Sequence, residues 1–188
     1  MRNSTGSLGI TMRLDDFELK PIPDAESSDE KEVFAFFGLA SFNAQCAEKS
    51  LVNFTMAYKL IDQSSLTQEQ WLELYEHLNS QTFGRLLNQI KTKVQLPDEL
   101  VEHLNLSLQK RNCLAHDFFY DHAVLMSDES GRKKVIKKLQ KLIKLFQITD
   151  LAVESLSLKV WKKFGITEEW IEEEMRKQYQ EYNSSINT

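Results

Sequence analysis

The spacing of apolar residues constrains this chain more than any other feature, because they recur every three or four positions over most of its length. Two stripes are especially long, one over residues 37–61 and the other over residues 135–160. Such spacing places apolar side chains along one face of an α-helix, and no segment after residue 29 alternates in the manner of a β-strand. The sequence therefore predicts an all-α protein, an antiparallel bundle of four to six helices with short connections.

Shorter signals predict where the other helices begin and end. Thr67 and Gln70 have the spacing of a capping box and predict the start of a second helix. A short third helix follows, and Pro97 is suited to the opening of a fourth. Residues 127–131 predict a turn before the second long stripe, and Gly165 predicts the end of that helix before a last acidic one.

The chain divides into three parts by composition. Residues 1–28 hold two of the six glycines, two of the three prolines and an acidic, serine-rich end. Leu8, Ile10, Met12 and Leu14 alternate within this part, but a single short strand without a partner is unstable. We therefore expect a flexible arm or linker over 1–28 with a short extended stretch, a helical bundle domain over 29–182 and a disordered tail over 183–188.

Composition excludes several classes of protein. The chain has 41% hydrophobic and 27% charged residues, with a formal net charge of -5, which excludes a uniformly basic nucleic-acid coat but allows a local basic patch. Two cysteines cannot form a disulfide scaffold or, alone, a zinc site, so a reducing compartment is expected. No apolar stretch is long enough to cross a bilayer. We expect a cytoplasmic protein with no membrane partner, no metal and no cofactor.

The densest polar cluster, residues 110–122, contains Arg111, Asn112 and His116. Asn112 and His116 are four positions apart, so they share a helix face. The guanidinium of an arginine suits a phosphate, and a histidine exchanges protons near neutral pH. Together they suit phosphodiester chemistry without a metal. The alternative is structural: the same pair could cap helix carbonyls or form an ion pair.

Arg111-Asn112-x-x-x-His116 resembles the Arg-x(4–6)-His signature of the HEPN superfamily (higher eukaryotes and prokaryotes nucleotide-binding). The expected position near the end of a long helix of a bundle is also similar to HEPN members. In the first helix, Phe37-Gly38 followed by Ala44-Gln45-x-x-Glu48 resembles them as well.

The resemblance implies an up-and-down helical bundle that dimerises with two motif helices facing a cleft. It implies a metal-independent RNA endonuclease in which His116 is the general acid or base and Arg111 holds the phosphate. Asn112 would be the orienting residue. The 2′-hydroxyl would attack phosphorus and leave a 2′,3′-cyclic phosphate, in a toxin with an antitoxin partner or in a stress-response component. The alternative is a non-catalytic HEPN-like module that binds a nucleotide or a protein.

Two observations bear on these implications. Toxins of the family that are paired with nucleotidyltransferase antitoxins often carry a tyrosine two positions after the histidine, where this chain has Phe118, and Tyr120 lies two positions further on. Regulation through that tyrosine is therefore not expected. The two long apolar stripes separately predict a homodimer, because they exceed what one thin bundle would cover.

His116-Asp117 could instead be the doublet of an HD-type metal phosphohydrolase. That class needs an earlier histidine and a later aspartate on the same metal. His77 or His103, with Asp150, supplies this order in the sequence.

A basic run from Arg132 to Lys144 has seven basic residues and no acid. Lys137 and Lys141 within it, and Lys110 beside the motif, are candidate RNA-binding residues. The alternative is a solvated helix face, because the apolar residues between the lysines already belong to the long stripe.

Overall fold

The protein is described by a computed structural model that covers residues 12–62 and 67–186. Over these ranges it forms seven α-helices and no β-strand, which confirms the all-α prediction. The helices are α1 (Glu30–Asp62), α2 (Gln68–Asn79), α3 (Phe83–Lys93), α4 (Asp98–His116), α5 (Phe118–Met126), α6 (Glu129–Trp161) and α7 (Glu168–Ile186). The count exceeds the predicted four to six because Asp117, with φ -123° and ψ -8°, interrupts the helix expected to carry the polar cluster 110–122.

The two long stripes pack against each other within one chain. Val33 and Ala40 of α1 share a buried cluster with Val135 and Leu139 of α6, and the later halves of both helices share a second cluster. The stripes therefore need no second copy to cover them, and this reason for expecting a dimer does not hold.

The helices do not simply alternate in direction along the chain. Ser28 contacts Glu129, and Ser50 contacts Asp150, so α1 and α6 run in the same direction. Helix α4 runs the opposite way, since Leu100 belongs to the cluster of the later helix halves and Leu114 to the cluster of the earlier ones. Helices α2 and α3 pack on the cluster of the later helix halves, which also contains Leu100.

Residues 12–28, expected as part of a flexible arm, lie along the bundle. Leu14 is buried in a short 3-10 turn, Leu14–Asp16. Arg132 donates a hydrogen bond from Nε to the Ser28 carbonyl at 2.6 Å, and Gln140 donates to the Pro23 carbonyl at 3.1 Å. Residues 1–11, with Leu8 and Ile10 of the expected extended stretch, lie outside the described ranges.

Several predicted helix ends are confirmed. The backbone N–H of Gln70 donates to the Thr67 hydroxyl at 3.2 Å, and the Thr67 N–H donates to Oε1 of Gln70 at 3.0 Å, which completes the capping box. Gly165 has a φ of 78° and follows a 3-10 turn at the end of α6. Helix α7 continues to Ile186 rather than ending near residue 182, and residues 187–188 are outside the described ranges. None of the described helices is long and apolar enough to cross a membrane.

Candidate functional site

Arg111 lies on the last turns of α4 and is held by a residue of α1. Its Nη2 donates to both carboxylate oxygens of Glu48, at 3.0 Å and 3.4 Å, and both side chains are partly buried. Its Nη1 lies 3.5 Å from Oδ1 of Asn112. An arginine has five N–H donors, so these contacts leave donors for a ligand. Arg111 thus forms the ion pair that the structural alternative predicts. Its remaining N–H groups can still bind a ligand.

Glu48 holds Arg111 in place, a role that the sequence reasoning did not assign to it. Its Oε1 also accepts a hydrogen bond from the backbone N–H of Phe83, the first residue of α3, at 3.0 Å. One carboxylate therefore connects α1, α3 and α4. Glu48 does belong to the string quoted above for the first helix. That string, however, predicts neither its contact with Arg111 nor its contact with Phe83.

His116 is the last residue of α4, and its side chain is exposed. Across residues 12–62 and 67–186 its ring makes no hydrogen bond, ion pair or ring contact with another residue. The structural alternative for His116 therefore finds no contact to support it in this part of the chain. An imidazole in this position can reach a proton on a bound molecule.

Helix α5 turns away immediately after His116 and is fixed by aromatic contacts. The Phe119 ring lies 4.7 Å from that of Phe37 and 5.4 Å from that of Phe34, both on α1. Phe118 is buried, and its ring lies 5.7 Å from that of Phe37. Phe118 thus contributes to the core, while Tyr120 is exposed.

Cys113 lies between the motif residues but does not have the character of a nucleophile. Burial, reinforced by the nearby Asp121 carboxylate, raises the pKa of its thiol. The thiol lies 3.8 Å from Oδ2 of Asp121, to which it can donate a hydrogen bond. A raised pKa lowers the fraction of thiolate, which is the reactive form.

The residues of the HD-type alternative do not come together. His103 contacts the Leu145 carbonyl and Thr149, His77 contacts Gln81, and Asp150 accepts from Ser50. Within the described ranges no three histidine, cysteine or acidic side chains are arranged to hold a metal ion. The doublet at His116 therefore has neither of the additional ligands that this reaction class requires.

The candidate RNA-binding lysines are exposed and lie on two different helices. Lys110 is on α4 beside Arg111, whereas Lys137 and Lys141 are on the outer face of α6. Lys137 lines an open groove of about 690 Å³ between α6 and residues 24–29, which include three carboxylates. Lys138 lies on the side of α6 next to α5, with its Nζ 2.9 Å from Nε2 of His122.

No family model matches this chain, and neither a curated protein nor a solved structure matches it. A functional assignment therefore depends on the geometry of the residues at the end of α4.

Proposed function

We propose that this protein is a metal-independent RNA endonuclease of HEPN type that acts as a homodimer. The observation that carries the proposal is the pairing, within five residues of one helix end, of an exposed histidine without a partner in the described ranges and an arginine oriented by Glu48. Such a pair supplies a proton-transfer group and a cation for one phosphodiester.

In the proposed reaction, His116 removes the proton from the ribose 2′-hydroxyl or donates a proton to the leaving oxygen. The 2′-oxygen forms a bond to phosphorus as the bond from phosphorus to the 5′-oxygen breaks. The products are a 2′,3′-cyclic phosphate and a 5′-hydroxyl. Arg111 stabilises the charge that develops on the phosphoryl oxygens, and Asn112 orients the guanidinium or the substrate. Two copies of His116 in a dimer can divide the two proton transfers.

Dimerisation is supported by apolar side chains that remain exposed in one chain. Phe34 and Phe42 of α1 are 52% and 59% exposed, and their spacing of eight positions puts them on one helix face. A second copy would cover this face.

An endonuclease of this type would act as a toxin or in a stress response, and an antitoxin is the protein partner we propose for the toxin case.

The second candidate is a non-catalytic HEPN-like module that binds a nucleotide or a protein. The contact between Arg111 and Glu48 favours it, because a partly neutralised guanidinium attracts a phosphate less strongly. Both candidates place the ligand at the end of α4.

The test is cleavage of single-stranded RNA in excess EDTA, with the 2′,3′-cyclic phosphate end identified by mass spectrometry. We expect the wild-type chain to cleave and His116→Ala to lose about 10²- to 10⁴-fold in rate. His77→Ala, a substitution of a histidine on α2, is the matched control and should cleave normally. Equal rates for wild type and a folded His116→Ala would refute the catalytic role. Activity that EDTA abolishes and a divalent ion restores would favour a metal-dependent reaction.

A further inference from the structure

Tyr120 has the most exposed large hydrophobic side chain in the described ranges, at 88%. It lies in the first turn of α5, four positions after His116, and within the described ranges its side chain forms no hydrogen bond and its ring stacks on no other ring. Val124, one turn later on the same face, is 84% exposed. Exposed aromatic rings contribute nothing to the core, so their flat faces are available to a ligand.

The helix that carries Tyr120 is firmly held on its inner side. Phe118 and Phe119 pack on the α1 phenylalanines, and the His122 ring stacks on Phe118 with centroids 4.5 Å apart. The Nδ1–H of His122 donates to the Phe118 carbonyl at 2.7 Å. Because α5 is anchored in this way, the backbone presents Tyr120 in a defined position next to the end of α4.

Positive charge borders the corner where α4 ends and α5 begins. Lys138 contacts His122 of α5, and Lys134 and Lys141 lie one helical turn to either side of Lys138. No acidic residue occurs from residue 130 to residue 149. The carboxylates of Asp117 and Asp121 lie at the corner itself, so they would repel phosphates there. A nucleic-acid backbone is therefore expected to follow the α6 lysines and Arg111, with its bases directed towards the outer face of α5.

We infer that Tyr120 stacks on an unpaired base of single-stranded RNA whose scissile phosphate lies at Arg111 and His116. This inference rests on the proposed function and adds to it the residue that binds a base. A base within a duplex is stacked on its neighbours and cannot lie flat on an exposed ring, whereas single-stranded RNA is commonly bound through base stacking on aromatic side chains. Purines offer the larger ring surface, so we expect adenines to bind better than uridines at this position.

The experiment measures binding by fluorescence anisotropy in EDTA, with a labelled oligoadenylate and with an abasic ribose-phosphate oligomer of the same length. All variants carry His116→Ala so that the RNA stays intact. Adding Tyr120→Ala should weaken oligoadenylate binding roughly 5- to 100-fold. Tyr120→Phe keeps the ring, and Val124→Ala alters an equally exposed neighbour, so both should bind within about twofold of the parent. All variants should bind the abasic oligomer equally.

Each other outcome overturns the inference. Equal binding of oligoadenylate by the Ala and Phe variants excludes stacking, and an equal loss on the abasic oligomer indicates a general disturbance of the surface. A change in sedimentation on Tyr120→Ala would assign this face to the dimer instead. Failure of the proposed function is seen separately, as binding of RNA by the wild-type chain without cleavage in EDTA. If the wild-type chain does not bind RNA, both proposals fail.

Discussion

Arg111 and Glu48 form an ion pair between α4 and α1, with Nη2 3.0 Å from Oε2. The other carboxylate oxygen accepts the first backbone N–H of α3 from Phe83, so the pair is oriented from a third helix. This arrangement limits where the guanidinium can point, which is what a phosphate-holding arginine needs. The ion pair also stabilises the fold, and a double-mutant cycle measures its contribution to the free energy of unfolding.

We expect a coupling free energy of about 0.5–1.5 kcal/mol between Glu48→Gln and Arg111→Met, measured by urea unfolding. Glutamine keeps an oxygen for the Phe83 N–H but removes the charge that holds Arg111. The exposed pair Lys133–Glu129, at 2.8 Å, is the control and should give about 0.5 kcal/mol or less. A coupling no larger than the control would mean that Glu48 does not hold Arg111 in solution.

Arg111→Lys should lower the turnover of RNA at least about tenfold while the chain stays folded. Lysine preserves the charge and can still pair with Glu48, but it lacks the planar fork that contacts two phosphoryl oxygens. The measurement is single-turnover cleavage with saturating RNA. Arg85→Lys, on the exposed surface of α3, is the matched control. Unchanged turnover in Arg111→Lys would show that only the charge at this position matters.

Lys141→Ala should reduce the slope of log affinity against log salt by about one unit, because one phosphate contact is lost. Lys110→Ala should do the same, since Lys110 is exposed beside Arg111. Lys137→Ala should have a smaller effect because Lys137 shares its groove with the carboxylates of residues 24–29. Lys159→Ala, near the far end of α6, is the control. If all four variants keep the wild-type slope, the basic run from Arg132 to Lys144 is a solvated helix face and not a binding surface.

Periodicity predicted the helical class well because it depends on local spacing. The capping residues Thr67 and Gln70 could be identified for the same reason. The break at Asp117 could not, since it follows from the packing of Phe118 and Phe119 on α1, a contact between segments distant in sequence.

The candidate site could be predicted only in part. The spacing of Arg111 and His116 suggested the chemistry proposed for them, but not which of them has a structural partner. Glu48 is 63 positions from Arg111, and nothing local to either residue indicates that they meet. The parallel direction of α1 and α6 likewise depends on how the intervening helices fold back.

The stability of the protein should fall as the pH is lowered from about 7.5 to 5.5, partly because of His103. Burial lowers the pKa of His103 below its usual 6.5, where the Leu145 carbonyl and Thr149 surround Nε2. The unfolded chain then binds the proton more readily, so stability present above the unfolded pKa is lost as the pH falls towards the folded value. Urea unfolding at both pH values should show a smaller loss for His103→Gln than for wild type. Equal losses would mean that other groups cause the pH dependence.

Two glycines within helices should respond to alanine in opposite ways. Gly131 is buried in the first turn of α6, inside the segment expected as a turn, and an added Cβ would lie 2.1 Å from the Leu125 carbonyl oxygen. Backbone cannot move aside as a side chain can, so we expect Gly131→Ala to lower the free energy of unfolding by about 2 kcal/mol or more.

Gly38 of α1 has no atom within 4 Å of its added Cβ, so Gly38→Ala should raise the free energy of unfolding by about 0.5–1 kcal/mol through helix propensity. Urea unfolding of both variants gives the comparison. A loss of stability in Gly38→Ala would indicate that a second copy packs closely on this face of α1, beside the exposed Phe34 and Phe42, and sedimentation of the variant would then show a weakened dimer.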